Sequence, residues 1–381
     1  MAPRPTLGPA TRIAVLIVLV GLTVALVSAC GESPGQSVEL ATPMSGPPTA
    51  IANASNGNAP PTRVGAAVGF DPINRTVLMF GGAPATGSNL QTGHPATRLD
   101  ETWQWDGQSW KQLHPKTSPP ALFGARLVTD PSTQNLLLLA GAGDSAGSAL
   151  QQEGAWEWDG NNWNRVGDTP VQVPFAAAAT DPVHSQVLLS GFDPAYPSAC
   201  AGCIPPPDYD RGGDFVMGQG GSGWNAASGD KPGWARAGTA FDPVSRRVIT
   251  TAGSVQNEVQ GTYAWDGDKW SLITTGTATN TNPDPNQPFG PCEAATDSHA
   301  QRIVMACEPA AGPSAGVTWT FDGQNWQKVS GSSTPTIAPN PVGQFSLAYD
   351  PAIPAVVMVI GGASGSMSIA TWDGSHWNSV S

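Results

Sequence analysis

Residues 102–110 read TWQWDGQSW, and nearly the same string returns four more times along the 381-residue chain. The copies are AWEWDGNNW (155–163), YAWDGDKW (263–270), VTWTFDGQNW (317–326) and TWDGSHW (371–377). A chain that repeats itself at tens of residues is built from stacked copies of one supersecondary unit, so the repeat decides the architecture. Trp103 and Trp105 are two residues apart, which places them on one face of a strand. Asp106-Gly107 then supplies a hairpin turn, with Trp110 just past it. The Asp-to-Trp interval is the same in every copy: Asp106 to Trp110, Asp159 to Trp163, Asp266 to Trp270, Asp322 to Trp326 and Asp373 to Trp377. A fixed interval fixes the turn length, and with it the register of the two strands it joins.

Each string closes a longer unit. Six stretches of small residues lead to an aspartate, usually followed by proline: Asp71, Asp130, Asp181, Asp242, Asp297 and Asp350. An apolar run follows each, for example TVLMFGG after Asp71 and AVVMVIGG after Asp350. Asp-Pro opens a tight turn, because proline presets φ and the aspartate bonds the backbone two residues on. One unit therefore reads as strand, Asp turn, strand, variable loop, aromatic strand, Asp-Gly turn, strand. Four antiparallel strands repeated six times make a six-bladed all-β propeller. The blades run at about 63–120, 121–170, 171–232, 233–287, 288–340 and 341–381. The third unit departs from the pattern, reading DFVMGQGGSGW (214–224), with Phe215, Met217 and Trp224 in the aromatic or apolar slots.

The units resemble the kelch repeat, also found in the central domain of galactose oxidase. The small-residue first strand, the glycine doublets Gly81-Gly82 and Gly361-Gly362, and the aromatic third strand with its later tryptophan carry the likeness. Four units keep one glycine or none at the doublet. Twelve tryptophans sit in the repeated strings: Trp103, Trp105, Trp110, Trp156, Trp158, Trp163, Trp265, Trp270, Trp319, Trp326, Trp372 and Trp377. Recurrence at the same place in each unit is what packing between blades requires, since each ring buries about 150–250 Å². Stacking on sugars is the other use of such rings.

The N-terminus carries an address. Arg4 and Arg12 precede the apolar run Ile13–Ala29, and Cys30 follows it. A basic start, an apolar middle and small residues before a cut site describe a secretory signal peptide over 1–29. The segment VSAC (27–30) resembles the bacterial lipobox, which implies that Cys30 is lipidated and anchors the mature chain to the outer face of the cytoplasmic membrane, or to the outer membrane of a diderm. An uncleaved anchor helix is the alternative. Residues 30–62 have no apolar period and are rich in Pro, Gly, Ser, Ala and Asn, the composition of a flexible tether.

With Cys30 set aside, four of the five cysteines remain, as Cys200/Cys203 and Cys292/Cys307. Outside the cytoplasm both pairs read as disulfides. If Asp297 faces Arg302 around its turn, counting back sets Cys292 opposite Cys307, within bonding reach. Cys200 and Cys203 lie in the largest insertion (192–214), where metal or redox use are the competing readings. The same loop brings Asp208, Asp210 and Asp214 close together between glycines. Clustered carboxylates on a flexible turn suit calcium, and equally a solvated acidic loop.

The net charge of −12 excludes nucleic acid as a partner, since phosphates demand a basic surface. None of the five histidines has metal-ligand spacing. The oxidase chemistry of the galactose oxidase resemblance needs a Cys–Tyr crosslink and further Tyr ligands, and only Tyr196, Tyr209, Tyr263 and Tyr349 exist. No nucleophile elbow or zinc-protease motif occurs. No catalytic residue is assigned. Three functions stay open: a membrane-tethered module binding protein or glycan through its variable loops, a carbohydrate-active or oxidase-like enzyme, and a purely structural envelope protein. No strand is evidently left over to be exchanged between the chain ends, so either the tether supplies one or packing alone closes the ring.

Overall fold

The computed structural model describes residues 59–87, 95–139, 154–170, 175–192, 212–218, 223–230, 238–251, 261–275, 292–308, 316–329, 344–361, 365 and 367–380. The signal run, Cys30, Cys200, Cys203, Asp208 and Asp210 lie outside them.

Every element among the described residues is a strand. The first blade holds β2 (Ala67–Asp71), β3 (Thr76–Phe80), β5 (Thr102–Trp105) and β6 (Trp110–Leu113), with a two-strand ribbon, β1 (Arg63–Val64) and β4 (Ala83–Pro84), beside it. The second holds β7 (Arg126–Thr129), β8 (Leu136–Leu139), β9 (Ala155–Trp158) and β10 (Trp163–Gly167). The third holds β11 (Ala177–Asp181), β12 (Gln186–Phe192), β13 (Gly212–Met217) and β14 (Trp224–Ala226), so its divergent string is paired like the others. In the fourth, β16 (Thr239–Asp242), β17 (Arg247–Thr251), β18 (Gly261–Trp265) and β19 (Lys269–Thr275) gain a parallel outer strand, β15 (Ser228–Gly229), from the end of the third unit. The fifth holds β20 (Cys292–Asp297), β21 (Arg302–Cys307), β22 (Val317–Phe321) and β23 (Trp326–Lys328), and the sixth β24 (Phe345–Asp350), β25 (Ala355–Ile360), β26 (Ser368–Trp372) and β27 (Trp377–Val380).

The first strand of each blade touches the first strand of the next, and β24 touches β2, so six sheets close around a common axis. The six repeat aspartates end these inner strands or, for Asp130, directly follow one, and are all buried. Asp71 shows why they are needed there. Its Oδ1 accepts the backbone N–H groups of Ile73 and Asn74, capping the turn, while its Oδ2 accepts the indole N–H of Trp158 from the second blade at 2.8 Å.

The Asp-Gly hairpins lie at the same end. Gly107, Gly160, Gly267, Gly323 and Gly374 all have φ between 91° and 101°, a left-handed backbone that favours glycine. Gly160 sits against Ile73, Gly267 against His184, and Gly323 against Val244, so these hairpins rest on the Asp turn of the preceding blade. Gly107 of the first blade is nearest Ile353 of the sixth, which carries the pattern across the chain ends.

That seam uses no exchanged strand. Residues just before the first blade cross it instead: Thr62 N–H donates to Gly365 O at 3.1 Å and Met367 N–H to Pro60 O at 3.0 Å. Arg63 is fully buried there, reaching Glu101 at 2.6 Å and the carbonyl of Gly81. A Cβ at Gly361 would stand 1.8 Å from the carbonyl oxygen of Arg63, so only glycine allows this approach. Val68 and Val77 of the first blade then join Val357, Val359 and Ile369 of the sixth in one apolar cluster. No strand is exchanged: packing closes the ring, helped by the two backbone bonds of residues 60–62 to the sixth blade.

Candidate functional site

Eleven of the twelve repeat tryptophans are buried, and Trp156 is half-buried. Facing register pairs Trp105 with Trp110, Trp158 with Trp163, Trp265 with Trp270 and Trp372 with Trp377, and Phe321 with Trp326. The ring centroids of Trp158 and Trp163 are 5.1 Å apart, a tilted contact within the aromatic-pair range. Rings so enclosed have no open face to offer a sugar.

The inner strands present a different chemistry. Four residues before the turn aspartates stand Ala67, Arg126, Ala177, Gly238, Glu293 and Ser346. Four are small, and the two charged ones belong to the second and fifth blades, three places apart in a ring of six and hence opposite each other. Arg126 and Glu293 meet across the axis, Nη1 to Oε1 at 2.5 Å, with side chains 13% and 15% exposed.

Both ends of this ion pair are held. The Arg126 Nε donates to Ala176 O at 2.6 Å, and its guanidinium carbon lies 6.0 Å from the centroid of Phe175, the outer limit of a cation–π contact. Phe175 has φ 65°. Each other non-glycine residue with positive φ sits at one repeated place, four residues after a turn aspartate, so Phe175 is the exception. Its N–H donates to Gly124 O at 2.7 Å and its ring meets Phe123 edge-on, which over-determines a conformation that costs a bulky residue about 1–3 kcal/mol. On the other side Glu293 follows Cys292, which is bonded to Cys307 across β20 and β21 in the register counted from the sequence. Burial pushes the Glu293 carboxyl above its usual value, against the opposing pull of Arg126.

The pair sits in an axial cavity of ≈ 60 Å³ whose other polar lining side chains are Thr239 and Ser346. That volume admits a few waters and no larger solute. Among the described residues no group of three His, Cys, Asp or Glu is placed to hold a metal ion. Asp214, the described member of the acidic trio, lies in β13 opposite Ser190. Sequence reading missed the axial pair. Its signal was two charges at a register position otherwise filled by small residues.

The turn face has its hairpin aspartates engaged within the fold. Asp106, Asp159, Asp266, Asp322 and Asp373 each accept two backbone N–H groups of their own hairpin. His184 is paired with Asp181, Nδ1 to Oδ2 at 2.7 Å. At the opposite face the strand ends are joined by connections of unequal length, the longest between Phe192 and Gly212.

No protein-family model matches the chain, and no curated protein does. Solved structures do. One, titled "Structure of YjhT", is 12% identical over 70% of this chain and 84% of its own, with a TM-score of 0.47. Another is a mutant of the Aleuria aurantia lectin AAL in complex with Fucalpha1-6GlcNAc, 12% identical over 84% of this chain and 97% of its own, with a TM-score of 0.52. At such identity the likeness to the lectin speaks to the fold alone.

Proposed function

We propose that the chain is an extracytoplasmic binding module, tethered by lipidated Cys30 and engaging a protein or glycan through the face opposite the Asp turns. The observation that carries this is the asymmetry of the two faces. One is uniform, and its aspartates and hairpins are committed to their own turns and to the next blade. The other carries connections of unequal length on a rigid scaffold, the usual arrangement for recognition. The axial cavity lined by Arg126 and Glu293 has room for a few waters, which further favours the rim.

The kelch resemblance supports a propeller used for display, and the Aleuria lectin is a propeller of similar fold carrying a fucosylated disaccharide. Fold likeness does not transfer a ligand, so glycan and protein remain the two classes to test. In this reading Cys200 and Cys203 close the largest loop with a disulfide, and Asp208 and Asp210 of that loop, with Asp214 in the strand it leads into, form an acidic group, a place for calcium that calorimetry would detect.

The test is a glycan array together with copurification of the tethered full chain from membranes of its own host. A specific partner or glycan, lost when 193–211 is replaced by a Gly/Ser linker and kept when Asp106 is changed to Asn, is the expected result. Binding that survives the loop replacement but fails with turn-face changes refutes the proposal. The absence of any partner would favour the structural reading, and turnover of an oxidised or cleaved sugar the enzymatic one.

A further inference from the structure

We infer that the Arg126–Glu293 pair is a tie bar across the propeller axis that resists opening of the seam between the first and last blades. The seam is the one junction not made by continuous chain, and its two sheets share no strand. A ring cut there opens like a C, hinging at the junction of the third and fourth blades. The first and sixth blades then part, and so do the second and fifth, which are mirror-related about the same line. The second and fifth blades are the ones that Arg126 and Glu293 join, at 2.5 Å. The anchoring fits this role. Arg126 is fixed by Ala176 O and Phe175, and Glu293 stands beside the Cys292–Cys307 crosslink, so strain on the bar passes into two rigid strands. A half-buried ion pair is weak evidence for net stability but good evidence for a specified arrangement, and a bar acts through its reach more than its charge.

The test is hydrogen exchange in the full chain at Thr62 and Met367, whose N–H groups cross the seam, with Trp163, which bonds Thr117 between the first two blades, as the internal control. Glu293→Ala removes the bar, Glu293→Asp keeps the charge but shortens the reach, and Glu293→Gln keeps the reach without the charge. The Ala and Asp variants should exchange at the seam about tenfold or more faster, through local opening, with the control little changed and the Gln variant near wild type. Even acceleration at all three amides, unchanged seam rates, or a Gln variant no better than Ala overturns the inference. Should the Ala variant fail to fold, the contrast between Asp and Gln decides alone.

Discussion

Trp163 donates its indole N–H to the hydroxyl of Thr102 at 3.0 Å, and both groups are buried at the junction of the second and first blades. The same bond recurs from Trp326 to Thr262 and from Trp377 to Thr318, so it belongs to the repeat. Thr102→Val keeps the shape and orphans a buried donor, which should cost about 1–3 kcal/mol in denaturant melts. Trp270 holds the equivalent place in the fourth blade, but its Nε1 has no partner. Replacing Trp270 by Phe should therefore destabilise less than replacing Trp163, by about 1 kcal/mol.

Arg63 fastens the segment that precedes the first blade to the ring. Arg63→Met removes its bonds to Glu101 and Gly81. Glu101 is a third exposed and still accepts from Trp103, so a loss of about 2 kcal/mol is expected, below the roughly 3–5 of a fully buried pair. Deleting residues 1–58 should leave the melting temperature unchanged. Extending the deletion through Arg63 should lower it by several degrees, at about 2–4 °C per kcal/mol for larger domains. Differential scanning calorimetry on the two truncations checks this.

Cys292 and Cys307 enclose a loop with a sequence separation of 15 and are both buried. Changing both to Ala should cost around 3 kcal/mol on the chain-entropy account, and reductant should lower the stability of the wild type but not of the variant. Equal reductant sensitivity in the two proteins would show that the loss arises elsewhere.

Two carboxylates should give pH dependences of opposite sign. Burial would raise Asp373, but the Asn378 side chain and the N–H groups of His376 and Ser375 outweigh it and hold the carboxyl down at about 2. A depressed folded value means that its contribution is present above the ordinary aspartate range and is lost as pH falls toward 2. Wild type should exceed Asp373→Asn near neutrality by about 0.5–1 kcal/mol, the shift being discounted because the group is exposed to solvent. Glu293 is raised, so its contribution is present below the ordinary glutamate value and is lost as pH rises through its folded value. Wild type should lose ground to Glu293→Gln as pH rises above the ordinary glutamate value. Urea melts of the Asp373 pair from neutrality down toward pH 2, and of the Glu293 pair upward from the ordinary glutamate value, read the two slopes.

The repeat was legible because its parts are local. A turn aspartate and the strands on either side of it lie within a dozen residues, and counting from Asp297 and Arg302 was enough to set Cys292 against Cys307. The third blade was readable despite its degraded string because Phe215, Met217 and Trp224 kept alternating apolar slots. The missed features are non-local. Arg126 and Glu293 are separated by 167 residues and meet only because the ring places their strands opposite each other. The strand Ser228–Gly229 carries no pattern of its own, and it forms because the outer edge of Lys269–Thr275 is open beside it.

The direction of the indole bonds has a consequence for how such a ring is made. Trp163, Trp326 and Trp377 each reach backward, to a hydroxyl on the blade synthesised just before. A chain emerging from its N-terminus thus finds the hydroxyl partner for the second, fifth and sixth blades already in place, so each of these can dock on the blade made just before it. The contacts of the first blade with the sixth, among them those of Pro60 with Met367 and of Val68 with Val357 and Val359, must instead wait for the last blade to arrive.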